Sequence, residues 1–223
     1  MLGFADLHGS PQYELAPPLA GALIESLRGV GSSASTALAD LIDNSISAGA
    51  RNVWLDFKFL GPDSVITVRD DGRGMSEDEL RRAMTLGGVG PLAQREAADL
   101  GRFGLGLKTA SFSQCRCLTV VAKSAGVVSC RRWDLDYIAR PDVRDWRLLS
   151  APRPGSEGLL DALDPIEHGA VVVWQGIDRI VGAARADDRL AEDAFYDLAA
   201  RVGRHLGMVF HRYLCVSARC LTH

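Results

Sequence analysis

The stretch Gly101-Arg102-Phe103-Gly104-Leu105-Gly106-Leu107-Lys108-Thr109 decides how the fold of the chain is read. Glycines crowded ahead of a helical segment leave backbone N–H groups open to an anion, and phosphate is the natural ligand, with Lys108 and Thr109 close by. Two familiar phosphate loops do not fit. A P-loop carries lysine directly after its last glycine, whereas Leu107 separates Gly106 from Lys108 here. The dinucleotide-binding loop needs a third glycine where Thr109 stands, inside a parallel strand–helix–strand unit that the surrounding sequence lacks.

Upstream of this stretch, Pro17 and Pro18 open a predicted helix to about Arg28, ended by Gly29 and Gly31. Ser32 to Ser35 offer a cap for a helix over 34–48, where Leu38, Leu41, Ile42 and Ile46 recur at helical spacing. Strand-like runs over 52–59 and 64–70, joined by Gly61-Pro62-Asp63, read as an antiparallel hairpin. Ser76 and Glu79 have capping-box spacing for a helix to Thr85. The span 86–101, punctuated by glycine and Pro91, reads as a mobile loop.

Downstream, the pattern predicts a helix over 103–112 and a second hairpin, 117–123 with 127–133, around Ala125-Gly126. Strands over 146–150 and 170–175 and a long amphipathic helix over 187–214 complete the chain. Trp54, Trp133, Trp146 and Trp174 fall in strand-like segments and read as core. This order favours a single α/β (α+β) two-layer domain over 1–223, with helices on one face of a mostly antiparallel mixed sheet.

The composition, 47% hydrophobic and 24% charged over 223 residues, is enough to bury a sizeable core. Twenty-five Lys and Arg against 28 Asp and Glu give a net charge of −3, so the overall balance does not indicate a nucleic-acid partner. Five cysteines, an odd number in a chain large enough to fold without staples, point to a reducing cytoplasm. Cys115 and Cys117 lack a second ligand pair and read as buried strand thiols rather than zinc ligands. No secretory opening and no run of ~20 apolar residues is present, so no membrane partner is expected.

Two further segments carry chemistry. Asp40 and Asn44, at i and i+4 in Asp40-Leu41-Ile42-Asp43-Asn44, project from one side of a helix, where an acid and an amide can hold a metal ion and orient water. The bland alternative is a solvated helix face. Asp70-Asp71-Gly72-Arg73-Gly74-Met75 follows an apolar strand; a carboxylate there can accept from an exocyclic amine while glycines admit a flat ring. Its bland alternative is an ordinary turn.

The order Asp40-Leu-Ile-Asp-Asn44, Asp70-x-Gly72-x-Gly74, Gly101-x-x-Gly104-x-Gly106 resembles the GHKL ATPases, which include type II topoisomerase ATPase subunits, heat-shock chaperones, sensor histidine kinases and MutL mismatch-repair proteins. The run Gly101 to Ser113 is most similar to the microrchidia-type branch and its bacterial relatives. The resemblance implies the histidine-kinase-like ATPase fold, with ATP and Mg²⁺ as cofactors. Asn44 would coordinate Mg²⁺, Asp70 would accept from the adenine amino group, and Gly72, Gly74 and Met75 would line the base pocket. Gly101, Phe103, Gly104, Leu105, Gly106 and Leu107 would form the hinge and phosphate cradle, with Lys108 on the phosphates and 86–101 as lid.

Asp40 takes the place of the general base, where hydrolytic members usually carry glutamate. A base shortened by one methylene, displaced by roughly 1 Å, loses on the order of 10²-fold in rate. Ser47 stands where a second acid often occurs, and His168-Gly169-Ala170 resembles a late Gly-Thr segment with the hydroxyl missing. The implied function is a slow ATPase whose nucleotide-driven lid closure controls homodimerisation or partner binding, with a transducer-type domain expected beyond His223. The alternative is a non-hydrolysing nucleotide sensor. A histidine kinase is the third reading: none of His8, His168, His205, His211 or His223 sits in an evident phosphoacceptor helix. Arg81, Arg82, Arg95 and Arg102 read as solvated charges paired with Glu77, Glu79 and Glu96.

Overall fold

The computed structural model describes residues 14, 18–29, 31, 33–86, 106–143 and 145–213. Helices α1 (Ala20–Arg28) and α2 (Ala34–Ser47) precede a hairpin of β1 (Val53–Lys58) and β2 (Val65–Asp70). Helices α3 (Glu77–Met84) and α4 (Gly106–Phe112) lead to a second hairpin, β3 (Cys117–Ser124) and β4 (Val127–Asp134). The short α5 (Leu135–Ile138), strand β5 (Gly169–Gln175), α6 (Asp178–Val181) and the long α7 (Arg189–Val209) follow. The sheet order is β1-β2-β5-β3-β4, and all four ladders are antiparallel.

Local chemistry explains most boundaries. Ser33 caps α2 by accepting from the Thr36 amide, and Ser76 with Glu79 forms the predicted capping box on α3. Asp188 caps α7 through the Ala191 amide. Ala125 and Gly126, both at positive φ, make the tight turn that joins β3 to β4.

The helices share one face of the sheet. Ala37, Leu38 and Leu41 of α2, Leu80 and Met84 of α3, Phe112 of α4 and Phe195 of α7 pack with Ile66, Val68, Leu118, Val120, Trp133 and Trp174 in one core. Across the sheet, Val121, Cys130, Val171 and Val173 are covered by Leu163, from a connection with two 3-10 turns, Glu157–Leu159 and Asp161–Leu163. At the far end, buried Arg28 ties α1 to the core, its Nε donating to the Phe112 carbonyl at 3.0 Å.

The predicted strand over 146–150 does not form. Leu149 makes a single antiparallel bridge to Arg132, with paired backbone hydrogen bonds of 2.7 and 2.9 Å, and the chain turns away before Pro152 and Pro154. Without strand alternation Trp146 is not pinned inward. It stays 39% exposed, edge-on to Trp133, and Trp54 is only half-buried, beneath the Arg69 guanidinium; Trp133 and Trp174 are core as predicted. Helix α7 ends at Val209, and residues 214–223 lie outside the described residues.

Gly74 fixes how the turn after β2 meets the sheet. Its φ is +67°, and a Cβ there would stand 1.9 Å from the Lys123 carbonyl oxygen. Gly74→Ala is expected to lower stability by about 2–4 kcal/mol in denaturant unfolding, combining left-handed strain with a backbone clash. Gly126→Ala, at φ +77° with open space around it, isolates the conformational cost, about 1 kcal/mol.

Candidate functional site

Helix α2 carries a polar row on the side away from the sheet. Asp40, Asp43 and Ser47 are exposed and Asn44 is half-buried, while Ala37, Leu38, Leu41 and Ser45 are buried on the other side. The predicted pairing of Asp40 and Asn44 on one helix side therefore holds. Partial burial, with the neighbouring Asp43 charge, pushes the Asp40 carboxyl above its ordinary value.

Asp70, the last residue of β2, lies under this helix and is 6% exposed. Its Oδ1 accepts the Gly72 amide at 2.9 Å and its Oδ2 accepts the Ser45 hydroxyl at 2.9 Å. Burial raises its pKa, outweighing the bonds from Gly72, Ser45 and the Ala170 amide, and the Asp71 charge raises it further. Gly72 has no room for a side chain: a Cβ would be 2.9 Å from the Ala48 Cβ and 2.9 Å from Asp70 Oδ1.

Asp71 does different work. Its carboxylate accepts the Arg51 and Asn52 amides at 2.7 and 2.8 Å and the Asn52 side chain at 2.7 Å, pinning the turn between α2 and β1. Burial raises its pKa, but the bonds from Asn52 and Arg51 outweigh that and lower it overall. Across the ladder Ala170 pairs with Asp70, and the His168 Nδ1 meets the Gly72 carbonyl. His168-Gly169-Ala170 thus lies against the Asp70 turn. A hollow of about 480 Å³ lined by Gly49, Arg51, Asp71, Ile166, Glu167 and His168 opens beside it; Asp40, Asn44 and Asp70 do not line it.

The third segment is described only in part. Gly101, Phe103, Gly104, Leu105, Arg102, Arg95 and Glu96 lie outside the described residues, as does the span 87–101 of the proposed lid. Gly106 opens α4 in an exposed position, and Leu107 and Met75 pack partly buried against the core. Lys108 is 1% exposed, and its Nζ donates to the Ala83 and Thr85 carbonyls at 2.7 and 2.8 Å. The Trp133 indole donates to the Met84 carbonyl between them at 2.8 Å. These are carbonyls at the C-terminal end of α3, where a cation is favoured. Burial pushes the Lys108 ammonium down to about 8.

Other expectations meet mixed outcomes. Arg81 pairs with Asp78, Glu79 with Arg73 and Glu77 with Arg131, so the exposed charges do pair, with different partners. Cys115, Cys117 and Cys130 are buried free thiols whose pKa values burial raises; Cys215 and Cys220 lie outside the described residues. Sequence reading missed Ser45. Its signal was a hydroxyl on the apolar side of α2, visible only once the helix phase is fixed.

The donor set suits magnesium nucleotide. Asn44 and Asp40 offer hard oxygen atoms, and Mg²⁺ in such sites takes few protein ligands and the rest from phosphate and water. Among the described residues no group of three His, Cys, Asp or Glu side chains stands ready to hold a metal. Asp70 is a buried acceptor at the end of β2, and Gly72 lets the turn close against Ala48 and the Asp70 carboxylate.

A family model described as "Histidine kinase-, DNA gyrase B-, and HSP90-like ATPase" matches residues 32–170, a span that contains α2, the Asp70 turn and α4. The chain is similar to ATPase morc-1 of Caenorhabditis elegans, 34% identical over 94 residues, which is 42% of this chain and 11% of that protein. It is also similar to MORC family CW-type zinc finger protein 3 of Mus musculus, 26% identical over 96 residues, 42% of this chain and 10% of that protein. The chain aligns with about a tenth of the length of these curated relatives.

The buried lysine gives a stability test. An ammonium near 8 when folded and at its ordinary 10.5 when unfolded means that the unfolded state binds more protons between those values, so stability rises with pH across that window. Lys108→Met is expected to remove a rise on the order of 3 kcal/mol, read as the difference between the two proteins' chemical unfolding curves from pH 8 to 10.5.

Proposed function

The chain belongs to the histidine kinase-, DNA gyrase B- and HSP90-like ATPases, and from that premise we propose that it binds Mg²⁺-ATP between α2 and the Asp70 turn and hydrolyses it slowly. The observation that carries this reading is the Asp70 carboxylate, buried at a strand end, supplied with donors from Gly72 and Ser45, and joined through Ser45 to the helix that carries Asp40 and Asn44. An acceptor so placed recognises an exocyclic amine such as that of adenine.

In this reading Asp70 accepts from the base amino group, and Asn44 presents its carbonyl oxygen to Mg²⁺. Bound Mg²⁺ supplies charge neutralisation at the phosphates. Asp40, one helical turn before Asn44, removes a proton from the attacking water; its raised pKa makes it a better proton acceptor than an ordinary aspartate. Lys108 reaches phosphate only by leaving the Ala83 and Thr85 carbonyls. By resemblance, nucleotide closes the span 86–101 and controls pairing with a second copy, a downstream domain or a protein partner. Buried free thiols support a reducing, cytoplasmic setting, and no described helix is long and apolar enough to cross a membrane.

A second reading, a nucleotide sensor without turnover, is favoured by Asp40 and Ser47 themselves, since the shorter base and the missing second acid weaken hydrolysis more than binding.

Mg²⁺-ATP affinity and phosphate release separate the readings. Asp70→Asn is expected to weaken ATP binding by about tenfold to a hundredfold, the worth of a hydrogen bond to a charged group. Asp40→Asn is expected to bind ATP as the parent does and to release phosphate about 10²-fold more slowly or worse. Asn44→Ala is expected to blunt the dependence of binding on Mg²⁺. Tight binding without turnover in the parent selects the sensor; no binding in the parent, with Asp70→Asn indistinguishable from it, overturns both.

A further inference from the structure

Ser45 is a polar residue, 4% exposed, on the side of α2 that otherwise buries alanine and leucine. Its Oγ lies 2.9 Å from Asp70 Oδ2 and 3.3 Å from the Leu41 carbonyl oxygen. One hydroxyl proton serves one acceptor well, and the shorter contact, to a charged oxygen, is the stronger. The other oxygen of Asp70 takes the Gly72 amide at 2.9 Å. On β5 the residue facing Asp70 is Ala170, which offers a backbone amide but no side-chain donor. The side-chain hydroxyl that steadies this carboxylate therefore comes from the helix rather than from the neighbouring strand.

We propose that Ser45 is the positioning residue that holds Asp70 as an aimed, ionised acceptor, and that it thereby sets the preference for a purine presenting an amino group over one presenting a carbonyl. A carboxylate that only accepts excludes a carbonyl, whereas a protonated carboxyl has an O–H to give it. Burial works against the ionised form at this site, so the donors around Asp70 decide its state. The charged neighbours do not replace them. Asp71 adds a repelling charge and is itself bonded to Arg51 and Asn52, His168 engages the Gly72 carbonyl, and Asp40 and Asp43 occupy the exposed row of α2.

The choice of purine rests on the ATP-binding reading; the link between Ser45 and Asp70 does not. The test follows the Asp70 carboxyl by NMR titration of aspartate-labelled, nucleotide-free protein, beside Mg²⁺-ATP and Mg²⁺-GTP affinities from pH 5 to 8. In Ser45→Ala the Asp70 midpoint is expected to move up by about one pH unit, equivalent to about tenfold in the protonation equilibrium. Because Asp70 binds as its anion, ATP affinity is then lost at a higher pH on acidification, with a larger deficit at pH 6 than at pH 8, and the ATP-to-GTP ratio narrows. Ser45→Thr, which keeps the hydroxyl, is expected to restore the midpoint and the ratio. An unmoved midpoint, or a loss of affinity equal at every pH with the ratio unchanged, overturns the proposal. A midpoint that moves in a protein that binds neither nucleotide upholds the Ser45–Asp70 link and overturns the ATP reading instead.

Discussion

The close backbone approach at the end of β2 is the constraint on which both sheet and site depend. Gly169 begins β5 at φ +154°, and a Cβ on it would stand 2.2 Å from the Asp70 carbonyl oxygen; one on Gly74 would meet the Lys123 carbonyl oxygen. These glycines let β2, β5 and β3 converge where the chain must also turn back under α2. With the convergence in place, the antiparallel register sets Ala170 opposite Asp70, and the turn lays Gly72 against Ala48 at the end of α2. The backbone thus brings the carboxylate beneath α2, where the Ser45 hydroxyl meets it.

Among the buried charged side chains, Asp70 and Lys108 are the two that burial pushes toward their neutral forms. Asp70 is raised and Lys108 is lowered. Each is held by partners drawn from a different element: Asp70 by α2, by its own turn and by β5, and Lys108 by the last carbonyls of α3. Such groups cost stability that an apolar residue of similar size would not, and perturbed ionisable groups concentrate at functional sites. Asp70 fits that pattern through its position in the proposed site. Lys108, as it stands, has a structural occupation that any role toward phosphate must displace.

Much of this was legible in the sequence. Alternating apolar runs and turn residues located both hairpins, the Ser76–Glu79 spacing located α3, and the spacing of Asp40 and Asn44 put them on one side of α2. What failed did so for geometric reasons. The run over 146–150 has strand-like composition, but pairing with β4 stops at one bridge, which leaves Trp146 partly in solvent. The place of Lys108 after a glycine cluster is a different case: adjacency in sequence does not say which way a residue on the first turn of a helix points, and its ammonium meets the Ala83 and Thr85 carbonyls. Ser45 sits one residue beyond the Asp40–Asn44 pair, on the opposite side of the helix, and became visible only when Asp70 was found beneath it.

The division between the two sides of α2 bears on what the substitution at position 40 means. Recognition of the base, in the proposed reading, depends on Asp70 and on Gly72 and Ser45, which both donate to it, all three buried, so a change there disturbs packing and binding together. Asp40 stands in the exposed row with Asp43 and Ser47, outside that network. A residue so placed is free to vary in length and proton affinity without disturbing the carboxylate that selects the nucleotide. In the proposed reading, turnover and binding are therefore separately adjustable, and an aspartate in place of the glutamate that the family resemblance implies bears on turnover alone.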